Sequence, residues 1–224
     1  MRQKEKNKIK AIGFDFDGTL IMSEDRKAKA MADVFKEKFD INKGVSAAYT
    51  KLMSDGKTRH EKVVTLFKQF VKRKSTLKEL KEIEDHFGKH YERELNVCPL
   101  FQCTNIIKEL KNQVNFLFLL SLENKREVKK VAAHCGLAKY FDEILGGPKS
   151  KIENLKHIIK KHKLKPEEII YIGDSNGDVI AGKQMGIEVV LIRGKFNYQQ
   201  LLDNLQADFV FNSICDLPHD VGKY

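Results

Sequence analysis

The sequence predicts an α/β protein, a doubly wound parallel sheet interrupted by an all-helical insertion. Three observations carry this. Apolar runs alternate with helical periodicity from about residue 100 onwards, as βαβ units do. The connections between them are short. And the stretch from about 22 to 98 offers apolar faces only at helical spacing.

The first strand is the run ending in "KIKAIGFDFDGTL", residues 8–20. In the insertion, Met31, Val34, Phe35 and Phe39 form one apolar face. Val63, Val64, Phe67, Phe70 and Val71 form a second, and Leu77, Leu80, Ile83, Phe87, Tyr91 and Leu95 a third. The run "VNFLFLLS" (114–121) is apolar throughout, as suits a strand covered on both faces. The helix after it, "NKREVKKVAAHCG", places Val128, Val131, Ala132 and Cys135 on one side, with Asn124 as N-cap and Gly136 as stop. "FDEILGG" follows, then the helix "KIENLKHIIKKHKL" with Ile152, Leu155, Ile158 and Ile159 facing inward. "EEIIYIGD" (167–174) is a further buried strand, trailed by the helical "NGDVIAGKQMG" and the run "IEVVLIRG". The expected division is a core of 1–20 and 99–224 with a helical cap of 21–98.

Composition narrows the function. The chain has 224 residues, 42% hydrophobic, and a formal net charge of +10. The longest apolar run, "FLFLL", falls far short of the ~20 residues of a membrane span, so no membrane partner is expected. The N-terminal basic stretch runs into a segment broken by Asp15 and Asp17, which excludes a signal-peptide core and makes the cytoplasm the default. The lysines are interleaved with glutamates, as in "KELKEIEDHFGKHYERE", and no nucleic-acid recognition module is present. Cys98, Cys103, Cys135 and Cys215 lack metal-ligand spacing and read as reduced, small hydrophobic residues.

Four polar clusters fall where predicted strands end: Asp15-Phe16-Asp17-Gly18-Thr19, Ser121, the lysines of "GGPKSK" (146–151) and "GDSNGD" (173–178). In an open α/β sheet ligands bind beyond the carboxyl ends of the strands. Parallel neighbours would therefore bring Asp15, Asp17, Asp174, Asp178, a hydroxyl and a lysine to one place. Such a concentration of carboxylates calls for a hard divalent cation, and Mg²⁺ suits few carboxylates plus a phosphate oxygen. Two acids one residue apart in an extended segment point to the same side. One aspartate can attack phosphorus while a second carboxyl handles the proton. Ser121 would hold a phosphoryl oxygen, and Gly18 lets the backbone turn beside it.

These motifs resemble those of the haloacid dehalogenase-like superfamily of phosphohydrolases. "DFDGTL", "LLS", the "GGPKSK" lysine and "GDSNGD" are similar to its four motifs in order, and the insertion resembles the helical cap of its phosphoglycolate phosphatase and β-phosphoglucomutase branch. The resemblance implies Asp15 as nucleophile, Asp17 as acid and base, and Mg²⁺ held by Asp15, the Asp17 carbonyl and Asp174, with Asp178 in support. It implies phosphate contacts from Gly18 and Thr19. Two departures stand out. Leu122 follows Ser121 where the family commonly has Asn, so that contact is missing or moved to Asn124. Both Lys149 and Lys151 fit the third motif, and Lys151 is preferred because it starts the helix. In the cap, "SDGKTRHEKV" (54–63) is similar to the substrate loop of β-phosphoglucomutase-type caps, with Arg59 in the anion-contacting place. The same stretch also reads as a plain helix start capped by Thr58 or Asp55.

The expectation is an Mg²⁺-dependent phosphatase of a small phosphorylated metabolite, monomeric or a homodimer. The alternatives are a phosphomutase on the same scaffold and a non-catalytic phosphate-binding protein.

Overall fold

β1 (Ala11–Asp15) is buried at every position and lies in the interior of the sheet. The structure is a computed structural model that describes residues 9–53, 57–94, 100–193 and 207–223. After β1 come four helices, α1 (Glu24–Phe39), α2 (Val45–Met53), α3 (Arg59–Leu66) and α4 (Leu77–Glu94). The chain then forms α5 (Ile106–Lys111), β2 (Phe116–Asn124), α6 (Lys125–His134) and β3 (Glu143–Gly147). It closes with α7 (Lys151–His162), β4 (Ile169–Gly173), α8 (Asn176–Gln184), β5 (Glu188–Ile192) and β6 (Phe209–Phe211).

The strands pair in parallel in the order β3-β2-β1-β4-β5-β6. Strand order reverses between β1 and β4, which opens a crevice at their carboxyl ends. Register then sets who meets there. Asp15 pairs with Leu120, one residue before Ser121, and Phe14 pairs with Ile172, two residues before Asp174. Alternation along the strands splits the core. Ile12, Phe14, Leu117, Leu119, Ile170 and Ile172 pack in one cluster with residues of α1–α4, α5 and α6. Ala11, Phe118, Leu120, Ile169 and Tyr171 pack under α7 and α8. β6, only three residues long, carries no periodicity that a sequence could signal.

The helices between β1 and β2 pack on one another through Met31, Val34, Phe35, Tyr49, Leu66, Phe67, Ile83 and Phe87. Two of the expected apolar positions face water instead: Leu77 is 82% exposed and Val64 38%. Leu77 opens α4 and lies before its packed stretch, while α3 turns Arg59, Lys62, Val63 and Leu66 inward. Leu95 and Asp55 fall outside the described residues. Thr58 caps α3 and shares a reciprocal capping box with Glu61.

The reduced-cysteine expectation is corrected. Cys103 and Cys215 form a disulfide with Cα atoms 5.2 Å apart, and Cys135 is disulfide-bonded as well. The two partners of the first bridge are 112 residues apart. No local spacing rule could pair them, because the fold alone brings the segment before α5 next to the 3₁₀ turn Ile214–Asp216. Cys98 lies outside the described residues. No described helix is long and apolar enough to cross a membrane.

Candidate active site

The loop leaving β1 turns on Gly18, whose φ is +85°. A Cβ there would lie 2.3 Å from Asp174 Oδ2 and 2.6 Å from Glu24 Oε1, so glycine alone allows the chain to pass this close to two carboxylates. Thr19 is buried and its hydroxyl donates to Asp174 Oδ1 at 3.2 Å. At the end of β4, a Cβ on Gly173 would meet Asp178 Cγ at 2.3 Å, so this second glycine seats the start of α8 on the strand end.

Asp178 is fully buried and saturated. Its Oδ1 accepts from Tyr171 Oη at 2.8 Å and from Lys151 Nζ, and its Oδ2 accepts from the Ser175 amide at 3.1 Å. Ser175 in turn caps α8. Lys151 stands at the first position of α7, where the helix dipole disfavours a cation. It is 7% exposed, and Nζ donates to Asp15 Oδ1 at 2.8 Å. Burial alone would depress this ammonium, but Asp15 and Asp178 outweigh it and raise it above the ordinary lysine value.

Asp15, Asp174 and Asp178 each offer a carboxylate oxygen, all within 4.8 Å of one another. Burial pushes Asp15 up to about 7, with Asp178 adding repulsion and Lys151 opposing it. Burial, then Asp15, Asp178 and Glu24, drive Asp174 well above the usual carboxylate range. One lysine leaves this cluster under-compensated. Asp15 and Asp174, hard oxygen donors with unrelieved repulsion, fit a divalent cation, while the oxygens of Asp178 are already taken by Lys151, Tyr171 and Ser175.

Asp17, in the loop after β1, lines the same cleft as Asp15. Its carboxylate accepts from Ser23 Oγ at 2.6 Å, Ser121 Oγ at 3.0 Å and Tyr91 Oη at 3.1 Å. Lys27 of α1 pairs with it at 2.8 Å and with Glu123 Oε1 at 2.9 Å. Burial disfavours the Lys27 ammonium, yet Asp17 and Glu123 raise it well above its ordinary value. Glu123 is held below the usual range because Lys27, Arg59 and Lys62 overcome the cost of its burial.

Asp15, Asp17, Ser121, Lys151 and Asp174 thus line one cleft, with Glu24, Lys27, Met53, Lys62 and Glu123 beside them. Three expected contacts lie elsewhere. Lys149 is exposed and only its carbonyl is used, accepting from Asn154 at 3.3 Å. Asn124 is exposed and caps α6, its Oδ1 accepting from the Arg126 amide at 2.9 Å. Arg59 is buried but turned to Glu123 and Glu127, with its guanidinium over the Phe87 ring. Lys27, Lys62, Glu24 and Glu123 were not legible as site residues. The available signal was helical phase, since Lys27 lies four residues before Met31 and Lys62 four before Leu66, both of them buried.

A family model described as haloacid dehalogenase-like hydrolase matches residues 12–192. The phosphoglycolate phosphatase of Haemophilus influenzae is 26% identical over 219 residues, covering 93% of this chain and 96% of that protein. The phosphoglycolate phosphatase of Pasteurella multocida is 24% identical over 217 residues, covering 93% and 96%. Among solved structures, a predicted phosphoglycolate phosphatase from Haemophilus somnus superposes with a TM-score of 0.76 at 26% identity, covering 92% of this chain and 94% of the other. CbbY from Rhodobacter sphaeroides, in complex with xylulose-(1,5)bisphosphate, shares the fold with a TM-score of 0.76 at 18% identity, covering 93% and 96%.

Proposed function

For a chain that belongs to the haloacid dehalogenase-like hydrolases and is a phosphatase, we propose hydrolysis of a small phosphate monoester through an aspartyl-phosphate on Asp15. The observation that carries this reading is the meeting of Lys151 Nζ with Asp15 Oδ1 at 2.8 Å inside a cluster of three buried carboxylates.

The Asp15 carboxylate attacks phosphorus, and the bond from phosphorus to the ester oxygen breaks. Asp17, as the carboxylic acid, gives its proton to the departing oxygen. Water then attacks the aspartyl-phosphate and yields a proton to Asp17, which restores Asp15 and releases phosphate. Ser121, which donates to Asp17, and Lys151, which donates to Asp15, would hold phosphoryl oxygens. Mg²⁺ held by the Asp15 carboxylate, the Asp17 carbonyl and Asp174 would neutralise charge on the transferring group. Asp178 touches Lys151, Tyr171 and Ser175 and so acts by positioning the lysine. The helical segment 21–98 serves as a cap over the core of 1–20 and 99–224, excluding bulk water from the cleft.

Since relatives bear the name phosphoglycolate phosphatase, 2-phosphoglycolate is the first ester to try. Purified protein should release inorganic phosphate from it in the presence of Mg²⁺ and stop on chelation. Asp15→Asn should abolish turnover with an unchanged circular dichroism spectrum. Hydrolysis retained in that variant, or an isomerised sugar phosphate accumulating in place of free phosphate, would overturn the reading.

A further inference from the structure

Most cations around the cleft are already matched by acids. Lys151 is held by Asp15 and Asp178, Lys27 by Asp17 and Glu123, and Arg59 by Glu123 and Glu127. Lys62 differs. It lines the same cleft from α3 and is only 6% exposed. Among the described residues its ammonium has no ion pair and no hydrogen bond, and it rests over the Tyr49 ring, 5.6 Å from the centroid. Beside it the Tyr49 hydroxyl is buried without a hydrogen-bond partner. A buried charge without a partner is costly, and here it is retained at the wall of the pocket that holds the reacting group. Burial pulls the Lys62 ammonium down to about 8, with Glu123 opposing and Lys27 adding to the fall. It is therefore still protonated at neutral pH.

We propose that Lys62 anchors a carboxylate carried by the substrate, so that the cap selects a compact phosphate ester with an acid group at its far end. The proposal rests on Asp15 and its neighbours being the phosphoryl site. A single ammonium matches a single carboxylate. A second phosphate is held most strongly by a bidentate guanidinium, and that of Arg59 is committed to Glu123 and Glu127, which leaves the point charge of Lys62 for a smaller, singly charged group. The cleft is small, about 60 Å³ open to the centre of a water-sized molecule. That suits a short carbon skeleton. Met53 gives the cleft an apolar surface against which such a skeleton can lie.

The test compares matched pairs on the full chain, wild type against Lys62→Met, which keeps length and removes charge. One pair is hydrolysed: 2-phosphoglycolate and 2-hydroxyethyl phosphate. The other only binds: 3-phosphonopropanoate and ethylphosphonate, measured calorimetrically. In the wild type the carboxylated member of each pair should be favoured. Lys62→Met should lose about ten- to a hundredfold in kcat/KM for 2-phosphoglycolate, mainly through KM. Its loss on 2-hydroxyethyl phosphate should be at least about tenfold smaller, and Lys62→Arg should recover part of the loss. Equal losses on both esters, or no loss, would overturn the proposal. Should the wild type hydrolyse neither ester, the phosphatase reading fails, and the phosphonate pair still decides for or against a carboxylate site at Lys62.

Discussion

Arg59 of α3 and Glu123 of β2 meet where the helical insertion packs on the sheet, with Nε donating to Oε2 at 2.9 Å and Nη2 at 2.5 Å. Both side chains are at most 10% exposed. The pair is a fastening between segments 64 residues apart, made stronger by Glu127 of α6 and by Lys27, which reaches Glu123 from α1.

Arg59→Ala should accordingly destabilise the protein, by about 3 kcal/mol, because it leaves Glu123 with one cation fewer in a buried place. It should raise KM for carboxylated and uncarboxylated esters by the same factor, since the loss falls on the fastening of α3 to β2 and not on recognition. Urea melts and paired kinetics check this. A selective loss on carboxylated esters would return Arg59 to substrate contact.

Lys151 and Lys149 should separate cleanly. Lys151→Ala removes the partner of Asp15 Oδ1 and of Asp178, and should lower kcat by about 10²–10³-fold. Lys149→Ala touches an exposed side chain and should keep wild-type kcat/KM. Comparable losses in the two variants would contradict the placement.

Lys62 should leave a signature in the pH dependence of stability. It faces Glu123 from β2, Lys27 from α1, Lys151 from α7 and Asp17 from the β1 loop, and lies over Tyr49 of α2. Its displacement to about 8 corresponds to a native-state penalty on the order of 3 kcal/mol for the charged form. The penalty is fully present below pH 8. Between 8 and the unfolded value near 10.4, the unfolded chain binds the extra proton, so stability contributed by this site rises with pH. Lys62→Met should thus be more stable than wild type at pH 7, and the difference should shrink towards pH 10. Parallel denaturation profiles across that range would show that the ammonium is not penalised.

The Cys103–Cys215 bridge closes 112 residues, and the chain-entropy account assigns loops of this length about 4–5 kcal/mol. Reductant should lower the denaturation midpoint, and peptide mapping without reductant should recover the two cysteines joined. An oxidising compartment preserves such a bond, whereas cytosolic thiols reduce it. Full reactivity of both thiols in freshly isolated protein, with an unchanged midpoint on oxidation, would show that the bond does not form.

The sheet, the helical insertion and the order of the acids were legible because burial leaves a local record. "FLFLLS" and "IIYIG" are apolar at successive positions since both faces of those strands are covered. "DFDG" and "GDSNGD" mark the points where such runs stop. What periodicity does not record is which polar groups meet once distant segments pack. Lys62 and Arg59 look like solvent-facing positions in the sequence, yet α3 turns both inward. Lys149 and Lys151 both fit the third motif, the start of the helix favours Lys151, and α7 buries that one alone. Cys103 finds Cys215 only because the sheet brings opposite ends of the core together. Apolar patterning is set by each segment's own burial, and so the sequence carries it. The partner of a buried charge or thiol is set by register and packing between segments, and only the tertiary structure decides it.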